Sequence, residues 1–104
     1  MTTRSTVAVQ TQEGILSIYV HYDGYPERML PILNNFFNTH FDTMNLIKQG
    51  SGSFLAENGI ENTYKEEYQI HKNIEAWKNF RKEQWCEYGY LFDNETKSWT
   101  HNIL

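Results

Sequence analysis

The chain turns from a strand into a helix within the stretch Tyr19-Val20-His21-Tyr22-Asp23-Gly24-Tyr25-Pro26-Glu27. Asp23 and Gly24 are typical of a turn, because Asp bonds nearby backbone amides and Gly adopts a positive φ without steric cost. Pro26 suits the first position of a helix, where its fixed φ is already helical and no amide hydrogen is needed. Glu27 adds a carboxylate where the helix dipole favours negative charge. The stretch predicts a corner at which a strand turns into a helix, but it does not indicate a chemical reaction.

Apolar residues at helical spacing follow this corner and predict a helix over residues 27–41. They are Met29, Leu30, Leu33, Phe36, Phe37 and Phe41. The start of this helix stays open, because Pro31 removes a hydrogen bond if the helix begins at Pro26, yet is itself a suitable first residue if it does not. Asp42 or Thr43 is expected to cap a second, short helix that stops at Gly50.

The rest of the chain alternates like strands near both termini, with a helical segment between them. The predicted elements are strands at 6–11, 15–22, 68–70, 85–92 and 98–101, a helix at 74–84, a flexible loop at 50–53 and an acidic polar stretch at 57–67. Asn73 is expected to cap the helix. The residues expected to face inward from that helix are Ile74, Trp77, Phe80 and the stem of Arg81.

The second predicted strand has one purely apolar face, which is expected to face the core. That face carries Leu16, Ile18, Val20 and Tyr22, which leaves His21 on the polar side. The element order predicts an α+β fold, in which N- and C-terminal hairpins form an antiparallel sheet of about four strands and two or three helices pack on one face. We expect a single domain over residues 1–104.

The composition favours a soluble protein without a metal or a disulfide. Apolar residues make up 39% of the chain and aromatic residues 15%, which suffices for one core. Cys86 has no second cysteine to pair with, and the four histidines lack the spacing that places two imidazoles on one helix face. We therefore expect no metal and no cofactor. The chain shows neither a membrane-spanning apolar run nor a signal sequence, so a cytoplasmic location is expected.

The net charge of −4 comes from residues 1–71, because residues 72–104 hold five acidic and five basic residues. An acidic chain argues against binding nucleic acid through its phosphates. It is compatible with docking onto a basic protein surface. The residues expected to bind such a partner are Glu57, Glu61, Glu66, Glu67, Tyr22 and Tyr25.

His21 and Asp23 are the best catalytic candidates, since a carboxylate can orient an imidazole that acts as a general base. Turn and cap roles explain both residues without further assumptions, so no enzymatic activity is expected. Tyr19, His21 and Asp23, close to Tyr25, are also the candidate residues of a ligand pocket. Such a pocket would sequester a small nucleotide signal.

Residues 17–27, Ser-Ile-Tyr-Val-His-Tyr-Asp-Gly-Tyr-Pro-Glu, resemble a recurring segment of small, largely uncharacterised phage and prophage proteins. In that family an aromatic residue and Asp-Gly-Tyr-Pro-Glu follow a hydrophobic strand and open a helix. Residues 87–92, followed by Trp99, are similar to the end of those proteins. Pro31 departs from the family pattern, in which the helix runs on without interruption.

The resemblance implies a small phage accessory protein in the cytoplasm of its bacterial host. Small acidic phage proteins without a catalytic constellation often bind and block host machinery, as anti-CRISPR and other counter-defence proteins do. Our leading hypothesis is therefore a non-catalytic inhibitor that binds a host antiviral-defence protein through residues 57–67 and exposed aromatic rings. A nucleotide sponge, a small hydrolase that uses His21 and Asp23, and a homodimer are left open.

Overall fold

The computed structural model describes residues 2–104, which form seven strands and three helices. In chain order they are β1 (Ser5–Thr11), β2 (Gly14–Val20), α1 (Pro26–Phe36), α2 (His40–Lys48), β3 (Gly52–Ala56), β4 (Gly59–Thr63), β5 (Gln69–His71), α3 (Ile74–Lys82), β6 (Tyr88–Asp93) and β7 (Ser98–Ile103). The predicted α+β class is confirmed. Within residues 2–104, no helix has both the length and the apolar character needed to cross a membrane.

The strands form one mixed sheet in the order β4-β3-β2-β1-β6-β7, with β5 paired to β2 beside β3. Both predicted terminal hairpins are present, as the antiparallel pairs β1–β2 and β6–β7. They meet at the centre of the sheet, where β1 runs parallel to β6. The sheet is thus larger than the predicted four strands and is not purely antiparallel, because the chain crosses from β2 to β6 through the helices and a further hairpin.

That further hairpin is β3–β4, and the sequence prediction of a flexible loop at residues 50–53 is wrong. All four of these residues are buried. The amide of Tyr19 donates to Ser51 Oγ at 2.9 Å and that of His21 to the Gly52 carbonyl at 3.0 Å. A side chain at Gly52 would collide with Ile60, so the glycine permits a close approach between the strands.

Helices α1 and α2 cover one face of the sheet and enclose the main core. The apolar face predicted for β2 is confirmed for Leu16, Ile18 and Val20, which are buried in this core. Tyr22 lies beyond the end of β2 and remains exposed. From the helices, Met29, Leu33, Leu46 and Ile47 join the same cluster.

Helix α3 packs on the opposite face, so the expectation that all helices share one face is wrong. Trp77 is buried there against Ala8, Ile15 and Leu91. Its indole nitrogen donates to Thr6 Oγ1 at 3.1 Å. The sheet therefore has two covered faces, which is why alternating residues of β1 and β2 are buried on both sides.

Of the four residues predicted to face inward from α3, two are confirmed and two are not. Trp77 and Arg81 are buried, one helical turn apart, whereas Ile74 and Phe80 are each 38% exposed. The predicted cap at Asn73 is confirmed, because its side-chain oxygen accepts a hydrogen bond from the amide of Ala76 at 2.8 Å.

The corner at residues 23–26 resolves the start of α1, which begins at Pro26 and carries Pro31 within it. The positive φ of the turn belongs to Asp23, at 55°, rather than to Gly24. Gly24 is needed for a different reason, since a side chain there would collide with Ser5 and the carbonyl of Thr3. The Tyr90 hydroxyl also donates to the Gly24 carbonyl, which ties the corner to β6.

The cap of α2 is Thr39, and the predicted caps at Asp42 and Thr43 are wrong. Thr39 adopts an extended conformation and its hydroxyl accepts a hydrogen bond from the Asp42 amide at 3.0 Å. The helix therefore starts earlier than predicted. Gly50 follows its end with a φ of 88°, as expected of a stop residue.

Candidate functional site

Four aromatic side chains form a continuous row from the end of β2 to β3, here called the aromatic row: Tyr19, His21, Tyr22 and Phe54. Ring centroids lie 5.8 Å apart between Tyr19 and His21, and 4.5 Å apart between His21 and Tyr22. Tyr22 stacks on Phe54 at 5.3 Å. The amide of Tyr22 donates to the Ser53 carbonyl at 2.8 Å, which holds the row against β3.

A hydrogen bond of 2.7 Å joins the Tyr19 hydroxyl to His21 Nδ1. Burial raises the pKa of Tyr19, so the phenol stays protonated and can donate to the imidazole. Among residues 2–104 the side-chain hydrogen-bond partner of the His21 imidazole is thus Tyr19, and Asp23 lies in the turn. The arrangement lacks the carboxylate that the His21–Asp23 hypothesis requires for orienting a general base.

A small cavity of about 240 Å³ opens beside the row and is lined by Tyr19, Tyr64, Glu66 and Gln84. The Tyr64 hydroxyl lies 3.1 Å from Ser53 Oγ, which fixes the ring at the mouth of the cavity. Of the three predicted pocket residues, only Tyr19 lines this cavity. His21 does not line it but is hydrogen-bonded to Tyr19, and Asp23 lies in the turn. Tyr64 and Gln84 are pocket residues that sequence reasoning missed, since they come from distant parts of the chain.

The four predicted acidic residues are all exposed. Glu57 occupies the β3–β4 turn, and Glu61 on β4 pairs in register with Phe54. Glu66 and Glu67 follow in the loop before β5. Residues 54–68 contain these four carboxylates and a single base, Lys65.

We call Tyr22, Phe54, Glu61, Tyr64 and Glu66 the acidic aromatic face. It unites two exposed tyrosines with one carboxylate on β4 and one in the loop before β5. Tyr25, also predicted to bind a partner, is exposed at the start of α1, but it does not line the cavity.

A second cluster, which the sequence analysis missed, is buried under α3. Ser17 Oγ lies 2.7 Å from His71 Nε2, and Arg81 Nε donates to the same hydroxyl at 3.0 Å. Arg81 also donates to the Ser17 carbonyl at 3.0 Å and to Gln84 Oε1 at 2.7 Å. Burial lowers the pKa of Arg81 to about 10 and also lowers the pKa of His71.

A serine and an imidazole at this distance have the composition of a nucleophile and its base. Ser17 is 0% exposed, however, so no substrate reaches its hydroxyl. The cluster instead satisfies buried polar groups and fastens α3 to the sheet. Its link to Gln84 also steadies one wall of the cavity.

Three larger cavities lie among residues 2–104: one of about 470 Å³ at the end of β7, one of about 490 Å³ beside the β1–β2 turn, and one of about 460 Å³ between that turn and the β6–β7 turn. None of the three includes a residue of the aromatic row. Across residues 2–104, no three side chains of His, Cys, Asp or Glu come together in a way that could hold a metal ion. Comparisons of the chain with protein-family models, curated proteins and solved structures found no match. The resemblance to phage proteins therefore stays a prediction, and function has to be argued from the geometry.

Proposed function

We propose that this protein is a non-catalytic binding protein that docks onto a basic surface of another protein through its acidic aromatic face. The observation that carries the proposal is the stacked pair Tyr22–Phe54, which stands at the surface with Glu61 directly across from Phe54 in the β3–β4 register. Exposed aromatic rings next to carboxylates suit arginine and lysine side chains, which bind to both.

The tyrosines and the carboxylates of this face would contribute to binding in different ways. Tyrosines bury a large area at a low entropic cost and are frequent hot spots of protein interfaces, so Tyr22 and Tyr64 would supply most of the affinity. Exposed carboxylates contribute more to the rate and specificity of association. Glu66 is exposed and lines the cavity, so a basic side chain of the partner would bind there.

The negative charge of this face also favours a basic protein partner over a nucleotide ligand. Glu66 lines the cavity, and a carboxylate there repels the phosphates of a nucleotide. A nucleotide sponge thus gains no support from this cavity. The role that joins the geometry to the resemblance is an inhibitor of a host antiviral-defence protein, in the manner of an anti-CRISPR protein, acting in the bacterial cytoplasm.

The test is an affinity purification of the tagged protein from its bacterial host, with the recovered partner then purified and its affinity measured by calorimetry. We expect one host protein in near-equal amount. The variant with both Glu61→Lys and Glu66→Lys should bind it at least tenfold more weakly, and Tyr22→Ala should lose about tenfold or more, as interface hot spots do. Raising the salt concentration should weaken binding of the unaltered protein.

The matched control carries both Glu13→Lys and Glu95→Lys, which make the same charge change at two exposed sites, in the β1–β2 and β6–β7 turns, away from the aromatic row. This variant should keep its affinity. Equal binding by all variants, each shown to be folded by its unfolding curve, would remove the acidic aromatic face from the proposal. If the control bound the partner as weakly as the double variant at Glu61 and Glu66, the net charge of the protein, and not this face, would explain the binding.

A further inference from the structure

The strands at the two ends of the main strand order, β4 and β7, are protected to different degrees. The β4 edge is five residues long, carries Glu61 and is distorted at Asn62, whose φ is 54°. A short strand, a charge and a local irregularity are the usual protections against pairing with another chain. The β7 edge, Ser-Trp-Thr-His-Asn-Ile, has six residues and contains no Lys, Arg, Asp, Glu or Pro. It is the unprotected edge.

The register of β7 defines which backbone groups this edge offers. Tyr88 pairs with Ile103, and the amide of Leu104 donates to the Glu87 carbonyl at 3.0 Å. In an antiparallel ladder, hydrogen-bonded and non-bonded pairs alternate, so the residues that bond β6 are the even-numbered ones. The amides and carbonyls of Trp99, His101 and Ile103 therefore point away from the sheet.

These three residues make the edge complementary to itself. If a second copy pairs antiparallel about a two-fold axis at His101, each His101 lies opposite its own counterpart and Ile103 lies opposite Trp99. Ile103 is 80% exposed in one copy, and this pairing places it across from Trp99 of the other copy, whose side chain is 7% exposed. Exposed aromatic residues also lie near both ends of the strand. At one end, Trp85 is 76% exposed and lines the same cavity as Ile103. At the other end, exposed Phe36 is next to Phe37, whose carbonyl accepts a hydrogen bond from the Trp99 indole.

We infer that β7 is a homodimer interface, at which two copies of this chain join their sheets through antiparallel β7–β7 pairing centred on His101. The inference goes beyond the proposed function, because it concerns the edge of the sheet opposite the acidic aromatic face. Each dimer would then carry two such faces, one at either end of a continuous sheet.

Cysteine cross-linking tests the register directly. In this pairing the two Cα atoms at position 101 lie about 5.5 Å apart. Those at position 98 are separated by six residues of strand, or about 20 Å. A short bis-maleimide should therefore link His101→Cys into a covalent dimer at least tenfold more than the control Ser98→Cys. Native Cys86 adds little background, since it is buried and burial raises its pKa to about 12.

Sedimentation of the unaltered chain provides the second measurement, and it should show a dimer that dissociates on dilution. His101→Pro removes an outward amide without breaking a bond to β6, so this variant should sediment as a folded monomer at the same concentrations. Equal cross-linking at positions 98 and 101 overturns the proposed register. A monomer at all concentrations overturns self-pairing, and would leave the edge to a strand of a different protein.

Discussion

The core between the sheet and helices α1 and α2 contains fifteen buried apolar residues. The core between the sheet and α3 contains four, together with the buried polar side chains of Ser17, His71 and Arg81. The first face is held by apolar burial, which is not directional and tolerates small shifts of the helices. The second depends on hydrogen bonds whose donors and acceptors must stay in place. The position of α3, and with it the cavity wall at Gln84, therefore rests on a few polar contacts.

The largest difference in stability between the two faces is expected for a matched pair of core substitutions on β2. Ile18 faces the main core and Ile15 the α3 face, and both are fully buried. We expect Ile18→Ala to lower the free energy of unfolding by about 4 kcal/mol and Ile15→Ala by about 2 kcal/mol, because a site with fewer apolar neighbours collapses more readily around the deletion. Urea unfolding of both variants measures the difference. Equal losses would mean that the two faces are packed alike.

An intermediate effect is expected from the polar cluster. Ser17→Ala takes an acceptor from the buried guanidinium and should cost about 1–3 kcal/mol. Arg81→Met keeps an apolar stem and removes a charge whose hydrogen-bond partners, Ser17 and Gln84, are neutral, so it should cost about 1 kcal/mol or less. The double variant should therefore be more stable than the sum of the single changes predicts. Strict additivity in this double-mutant cycle would show that Ser17 and Arg81 do not act as a unit.

The smallest effect is a dependence of stability on pH that arises from the α3 face. Burial, with the nearby charge of Arg81, lowers the pKa of His71 below its ordinary 6.5. The unfolded chain therefore takes up the proton first, so this contribution to stability is complete above pH 6.5 and is lost as the pH falls through the lower pKa of the folded state. Unfolding curves between pH 7 and pH 5 should show a shallower decline for His71→Gln than for the unaltered chain.

His40→Gln is the control for this experiment, because His40 is exposed on α2, on the other face. It should decline with pH as the unaltered chain does. If His71→Gln and His40→Gln declined equally, the α3 face would not be the source of the dependence.

Part of the candidate site was accessible from sequence. Tyr19 and His21 were predicted to lie together, because alternate residues of a strand share a face, and their side chains are hydrogen-bonded. Asp23 and Tyr25 were grouped with them only because they are near in sequence, and the turn at Asp23 and the start of α1 direct them elsewhere. Phe54 was not predicted, since its strand lay next to a segment interpreted as a loop.

The sequence by itself determined some of the local elements, chiefly those near the two ends of the chain. Alternation set the two terminal hairpins and the core face of β2, and an Asn at the right spacing set the start of α3. These features depend on residues close together in the chain, whose geometry leaves few choices.

Tertiary structure decided the rest, because it depends on which surfaces meet. The Gly- and Ser-rich segment became buried only because the end of β2 supplies its backbone partners, and β1 pairs with β6 across the whole middle of the chain. In α3, Arg81 is buried instead of Phe80 because Ser17 offers a hydroxyl and a carbonyl at that point of the sheet. No local pattern encodes such a partner, since a buried polar group is stable only where a distant residue satisfies its hydrogen bonds.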